Sequence, residues 1–153
     1  MVAAPVALAS AGPADLEELL VMLERFDESQ GYPFDPAQAR YALGELLARP
    51  ELGAVFRIVR GSESVGYVAL TFGWSLEWGG RDAFVDEIFV EAPERGRGSG
   101  RMALRAIVDE ARRLGVRALH LEVEDENETA KRLYRAEGFQ ATARRILTHR
   151  LSR

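Results

Sequence analysis

The 153-residue sequence contains no cysteine, which excludes disulfides, thiolate nucleophiles and cysteine-ligated zinc or iron–sulfur centres. Its only histidines are His120 and His149, too few for a histidine-rich site, so no metal is expected. No unbroken apolar run approaches the roughly 18 residues of a spanning helix. The apolar opening stretch also lacks a basic flank and is interrupted by Pro5. The expectation is a soluble, cytoplasmic chain with no membrane role, whose Asn127-Glu128-Thr129 sequon carries no glycan. Lysine is almost missing as well: every basic residue except Lys131 is arginine, which reads as coding bias more than as a binding feature.

With 47% apolar and 29% charged residues, the chain can bury a core and is expected to form one domain over residues 1–153. The net charge of −4 hides an asymmetry, because residues 1–94 carry 6 basic against 16 acidic side chains and residues 95–153 carry 14 against 8. Such a division suits a front part that meets a cation and a back part that meets an anion, or simply solvated helix faces. The basic residues after position 95 are not interleaved with aromatics, which argues against a nucleic-acid partner.

Hydrophobic spacing orders the elements. Val6 to Ala9 reads as a short strand. Leu16, Leu19, Leu20, Leu23 and Phe26 follow helical spacing up to Gly31, and Asp35-Pro36 has the form of an N-cap and first helical residue for a second helix reaching Pro50. Residues 54–60, 65–74 and 82–90 are rich in β-branched and aromatic residues between turn signals, an antiparallel meander. A third helix spans Ser99 to Leu114 with Gly115 behind it, followed by a strand at 117–123. Asn127 can cap a short helix containing Ala130, Leu133 and Tyr134 that Gly138 closes, and Phe139 to Leu151 reads as one or two further strands. The fold class is a mixed α/β (α+β) sheet.

The sharpest local signal is Arg95-Gly96-Arg97-Gly98-Ser99-Gly100 between a strand and a helix start. Unpaired N–H groups at a helix N-terminus attract anions, and glycines let a phosphate approach the backbone. Arg95, Arg97 and Arg101 add charge and forked donors. A P-loop needs Lys followed by Ser or Thr where Arg101-Met102 stands, so that reading fails. A dinucleotide fingerprint can be laid over Gly98, Gly100 and Ala103 with Glu122 or Glu124 as the later acid, but it follows a meander instead of the first strand of a βαβ unit.

In order along 84–139, Ile88-Phe89-Val90, Arg95-x-x-Gly98-x-Gly100, Leu121-Glu122-Val123, Asn127 and Leu133-Tyr134-x-x-x-Gly138-Phe139 together resemble the GNAT superfamily of N-acetyltransferases. Pro93 stands one position later than is frequent there. The resemblance implies a mostly antiparallel central sheet of 6–7 strands flanked by about four helices, acetyl-CoA as cosubstrate, an amine acceptor and direct transfer within a ternary complex. A homodimer stays open.

Carried over residue by residue, the resemblance implies that residues 95–101 hold the pyrophosphate of acetyl-CoA while the backbone of Ile88, Phe89 and Val90 pairs with the pantetheine arm. Asn127 would bind that arm or cap its helix. Tyr134 would be the general acid that protonates the leaving thiolate, a fair match between a phenol near 10 and a thiol near 8.5. The acceptor ammonium must lose a proton before attack, and three carboxylates are candidates for accepting it. Asp86 shares a strand face with Phe84 and Ile88 by alternation, Glu122 lies on the neighbouring strand, and Glu87, which alternation turns away, ranks behind them. Phe26, Tyr32, Phe34, Trp74, Glu77 and Trp78 are the expected acceptor walls, suited to a cationic amine on a partly apolar body. A non-catalytic acyl-CoA sensor and a dinucleotide-binding protein are the alternatives.

Overall fold

In the computed structural model, which describes residues 4–152, the chain divides after Glu122 into two units. The first unit carries a sheet of five strands in sequential order: β1 (Val6–Ser10), β2 (Gly53–Arg60), β3 (Glu63–Ser75), β4 (Gly80–Val90) and β5 (Ala118–His120). The first four pair antiparallel, and β5 joins β4 in parallel through Asp82, Ala83 and Phe84 alone.

Local sequence explains the helices. α1 (Leu16–Gln30) stops at Gly31, whose φ of +71° is the left-handed conformation that glycine adopts without a Cβ penalty. α2 (Pro36–Ala48) begins where the Asp35 carboxylate accepts N–H donations from Ala37 at 3.0 Å and Gln38 at 3.1 Å. α3 (Ser99–Arg113) buries Ala103, Leu104, Ile107 and Ala111, one stripe of its amphipathic surface.

α1 and α2 cover one sheet face, where Leu19, Met22, Leu43 and Leu47 pack on Val55, Tyr67, Ala69 and Phe89. By strand alternation Ile58, Val68 and Leu70 lie on the opposite face, and all three are fully buried, as are Leu104 and Ile107 of α3. Each such burial stabilises the fold by about 1.5–3 kcal/mol.

One irregularity matters for the site. Ala69 pairs with Glu87 and Leu70 with Val85, so Asp86 is an extra residue on β4, a β-bulge. The bulge resets the alternation: Phe84 and Asp86 before it, and Glu87 and Phe89 after it, share the α1/α2 face. Ile88, which the sequence pattern groups with Asp86, goes to the other face.

The second unit contains α4 (Glu128–Ala136), capped by the Asn127 side chain, which accepts from the Ala130 N–H at 3.0 Å. Gly138, with φ +95°, ends it, and the Phe139 ring meets Tyr134 edge-on with centroids 6.1 Å apart. The mixed sheet and four helices agree with expectation, but the strand count is five, not 6–7. The strand expected at 117–123 contracts to Ala118–His120, and the tail from Phe139 forms no strand among the described residues. Ile146, Leu147 and Leu151 of that tail are exposed. Among the described residues no helix is long and apolar enough to cross a membrane.

Candidate active site

Beyond Val90 the chain makes a 3-10 turn at Ala92–Glu94 and enters the glycine loop. Gly96 and Gly98 have φ of +77° and +82°, so both need the left-handed conformation, and Gly98 is the N-cap of α3. A Cβ at either would meet nothing within 4 Å, and one at Gly100 would meet only Val90 Cγ2 at 3.9 Å, so the backbone here faces open space. Helix geometry leaves the first-turn N–H groups of α3 pointing into that space.

A brace beneath the loop escaped the sequence reading. Arg60 of β2 donates to Glu94 Oε2 at 2.8 Å and to Ser99 Oγ at 3.0 Å, and the Ser99 hydroxyl donates to Glu94 Oε2 at 3.2 Å. Ser99 is 1% exposed. The Arg60 guanidinium holds the Glu94 carboxyl below its ordinary range. Arg97 also reaches Glu94, at 3.3 Å, and Arg95 donates to the Val90 carbonyl at 3.0 Å while lying over the Phe89 ring. The only hint in sequence is an acid directly before the loop; its partner is 34 residues away.

The strand leading to the loop has a free edge. β3 pairs with Ile88, Phe89 and Val90, whereas β5 leaves β4 after Phe84, so among the described residues no strand borders Val85–Val90 on that side. Its outward N–H and C=O groups, together with the glycine loop, fit an extended amide-bearing chain that ends in a pyrophosphate.

A cavity of about 670 Å³ opens between α1, α2 and the face of β3 and β4. Leu19, Leu23, Leu43, Leu46, Tyr32 and Phe34 supply apolar wall, and Asp27, Asp86 and Glu87 bring carboxyls into it. Tyr67 Oη donates to Glu87 Oε1 at 2.7 Å. Burial pushes the Glu87 pKa up to about 7 against the stabilising Tyr67 hydrogen bond, with the charges of Asp86 and Asp27 adding to the rise. Loss of hydration also raises Asp86 and Asp27, and burial together with the adjacent carboxylates raises Tyr67 well above its ordinary value.

The expected site residues therefore separate. Asp86 and Glu87 come together on the cavity wall, while Glu122 is exposed and outside the lining. Tyr32 and Phe34 line the cavity, and Phe26 packs behind it on Tyr32 and Phe89. Trp74, Glu77 and Trp78 lie in and beside the β3–β4 turn, outside the lining; Trp74 is 77% exposed, and Trp78 faces His120. Asp27 and Tyr67 were missed, since each reads as an ordinary member of its helix or strand. Asn127 caps α4 in the second unit, and burial raises the Tyr134 phenol there. Among the described residues no cluster of three His, Cys, Asp or Glu side chains is placed to hold a metal ion.

The sequence profile of the acetyltransferase (GNAT) family matches residues 17–139. The uncharacterized N-acetyltransferase YycN of Bacillus subtilis (strain 168) is 40% identical over 62 residues, 40% of this chain and 40% of that protein. A thialysine N-epsilon-acetyltransferase of Bos taurus is 36% identical over 76 residues, 50% of this chain and 44% of that protein. The matches thus span less than half the length of these curated relatives. An integron cassette protein from the mobile metagenome of Cole Harbour Salt Marsh superposes with a TM-score of 0.85 at 34% identity, covering 95% of this chain and 91% of that one.

Proposed function

The chain belongs to the acetyltransferase (GNAT) family, and we propose that it moves the acetyl group of acetyl-CoA directly to an amine seated in the acidic cavity, with Glu87 as general base. The observation that carries this reading is the Glu87 carboxyl itself: it lines the cavity, is hydrogen-bonded to Tyr67 at 2.7 Å, and has a pKa of about 7. A carboxyl poised there is half ionised near neutral pH, where a base for an ammonium acceptor has to work.

Glu87 takes one proton from the ammonium group. The freed nitrogen forms the N–C bond to the acetyl carbon as the C–S bond breaks; the departing thiolate takes a proton from Tyr134, in the role the resemblance gives that residue. The second proton shed by the attacking nitrogen reloads that phenol through water, and Glu87 returns its own proton to solvent. Burial keeps that phenol protonated until the thiolate develops. Only the resemblance supports the role of Tyr134, and that of Asn127 toward the pantetheine arm. The open backbone at residues 96–100, the arginines around it and the unbordered edge of β4 support pyrophosphate and arm binding.

The test combines calorimetric titration with acetyl-CoA and a free-thiol assay on amines, run from pH 5.5 to 9. Wild-type kcat should rise through about pH 7, and Glu87→Gln should lose that limb and roughly 10²–10⁴ of the rate. Full kcat in Glu87→Gln would remove the base assignment. Tight acetyl-CoA binding without thiol release on any amine would favour the non-catalytic sensor.

A further inference from the structure

The cavity that the proposed function assigns to the amine has a lopsided electrostatic lining. Three carboxyls reach it from two directions: Asp27 from α1, and Asp86 and Glu87 from the bulge on β4. Asp35 also borders it, but its Oδ1 is committed to the α2 cap. No Arg, Lys or His lines it, and among the described residues Asp27, Asp86 and Glu87 have no ion-pair partner. Elsewhere in this chain acids are commonly paired, as in Arg60–Glu94 and Arg40–Glu17. Asp27 and Asp86 are close enough for their charges to act on both Glu87 and Tyr67.

A single ammonium can answer only part of that charge. Once Glu87 has taken its proton, a monoamine is neutral, and Asp27 is left facing no cation. A second ammonium, separated by a methylene chain that lies along Leu19, Leu23 and Phe34, would stay charged and meet Asp27. A carboxylate on the acceptor has the opposite fate, because it would enter a lining with four acids and no cation to receive it. Sugar-based amines fit poorly too, since Tyr32, Gln38 and Thr71 are the only neutral polar side chains on the wall apart from Tyr67.

We propose that the acceptor is a flexible aliphatic diamine or longer polyamine without a carboxylate, its reacting nitrogen at Glu87 and a distal ammonium at Asp27. This rests on the acetyltransferase reading and makes Asp27 a specificity-determining residue. Acetylation removes one positive charge from such an acceptor, which weakens its hold on the cavity and helps the product leave.

The test uses three amines with the same five-carbon chain: 1,5-diaminopentane, pentylamine, which lacks the distal ammonium, and lysine, which adds a carboxylate. Thiol release from acetyl-CoA should give 1,5-diaminopentane a kcat/KM at least about tenfold above each of the others, about 1.4 kcal/mol of discrimination. Asp27→Asn should bring the ratio of diamine to pentylamine down toward one, and Asp27→Glu should keep it above one. Equal rates with pentylamine, or lysine matching the diamine, would overturn the diamine proposal while leaving acetyl transfer standing. No release with any of the three, although acetyl-CoA binds by calorimetry, would also overturn it. Failure to bind acetyl-CoA at all would instead remove the acetyltransferase reading on which it rests.

Discussion

The glycine loop and the acidic cavity belong to one unit of the chain but are built from opposite materials. The loop works through backbone: two left-handed glycines and the start of α3 offer N–H groups, and the nearby side chains hold the loop in place, Arg60 on Glu94 and Ser99. The cavity works through side chains on different elements, with Asp27, Asp86 and Glu87 brought together by a helix and a strand bulge. Backbone donors do not titrate, whereas crowded carboxyls do, so one site should be almost indifferent to pH and the other governed by it. The acidic front and basic back of the sequence foreshadow this division, although Arg60 shows that a front residue can serve the loop.

The largest effect on acetyl-CoA binding should come from breaking the backbone site. Gly98→Val places a β-branched residue at φ +82°, a strain of about 1–3 kcal/mol, and puts a side chain where a phosphate would approach. Acetyl-CoA affinity by calorimetry should fall roughly 10–100-fold, with the same factor at pH 6 and pH 8. Unchanged affinity would remove residues 95–101 from the pyrophosphate site, and a strongly pH-dependent loss would undo the contrast with the cavity.

A smaller effect belongs to stability. The folded pKa of Glu87, about 7, lies above the unfolded value near 4.3. The folded state thus binds more protons between those values. The contribution of this group is present below about pH 4 and is lost as pH rises through 7. Because the carboxyl is only partly buried, solvent screening reduces the loss to on the order of 1–2 kcal/mol. Glu87→Gln should therefore be more stable than wild type at pH 8 by about that amount, a rise in Tm of roughly 2–6 °C, and no more stable at pH 4. Equal Tm values at pH 8 would mean that Glu87 is as well hydrated as an ordinary surface acid.

How much of this was legible follows from the same contrast. The loop declared itself because its requirements are local: glycine where φ is positive, and a strand and a helix on either side. The Asp35 and Asn127 caps were legible for that reason also. The acid pair was not. Strict alternation turns Glu87 away from Asp86, and only the extra residue opposite Ala69 and Leu70 turns both toward α1. Asp27 sits on a helix that any solvated acid could occupy, and the Arg60–Glu94 pair joins positions far apart in sequence. The tail failed differently: Phe139 to Leu151 reads as strand, yet Ile146, Leu147 and Leu151 are exposed and no strand forms there among the described residues.

The finest distinction lies between two neighbours of Glu87 that act in opposite senses. Tyr67 donates a hydrogen bond that favours the ionised carboxylate, while Asp27 contributes a negative charge that disfavours it; Asp86 beside it on β4 also disfavours it. Tyr67→Phe removes the donor and leaves both repulsions, so the rising limb of the pH–rate profile should move to higher pH. Asp27→Asn removes a repulsion and leaves the donor, so the limb should move to lower pH. Measured with pentylamine, which has no second ammonium to involve Asp27, these displacements report the base alone. Shifts in the same direction would mean that the limb belongs to another group. Opposite shifts would tie the observed ionisation to the one carboxyl that both residues face.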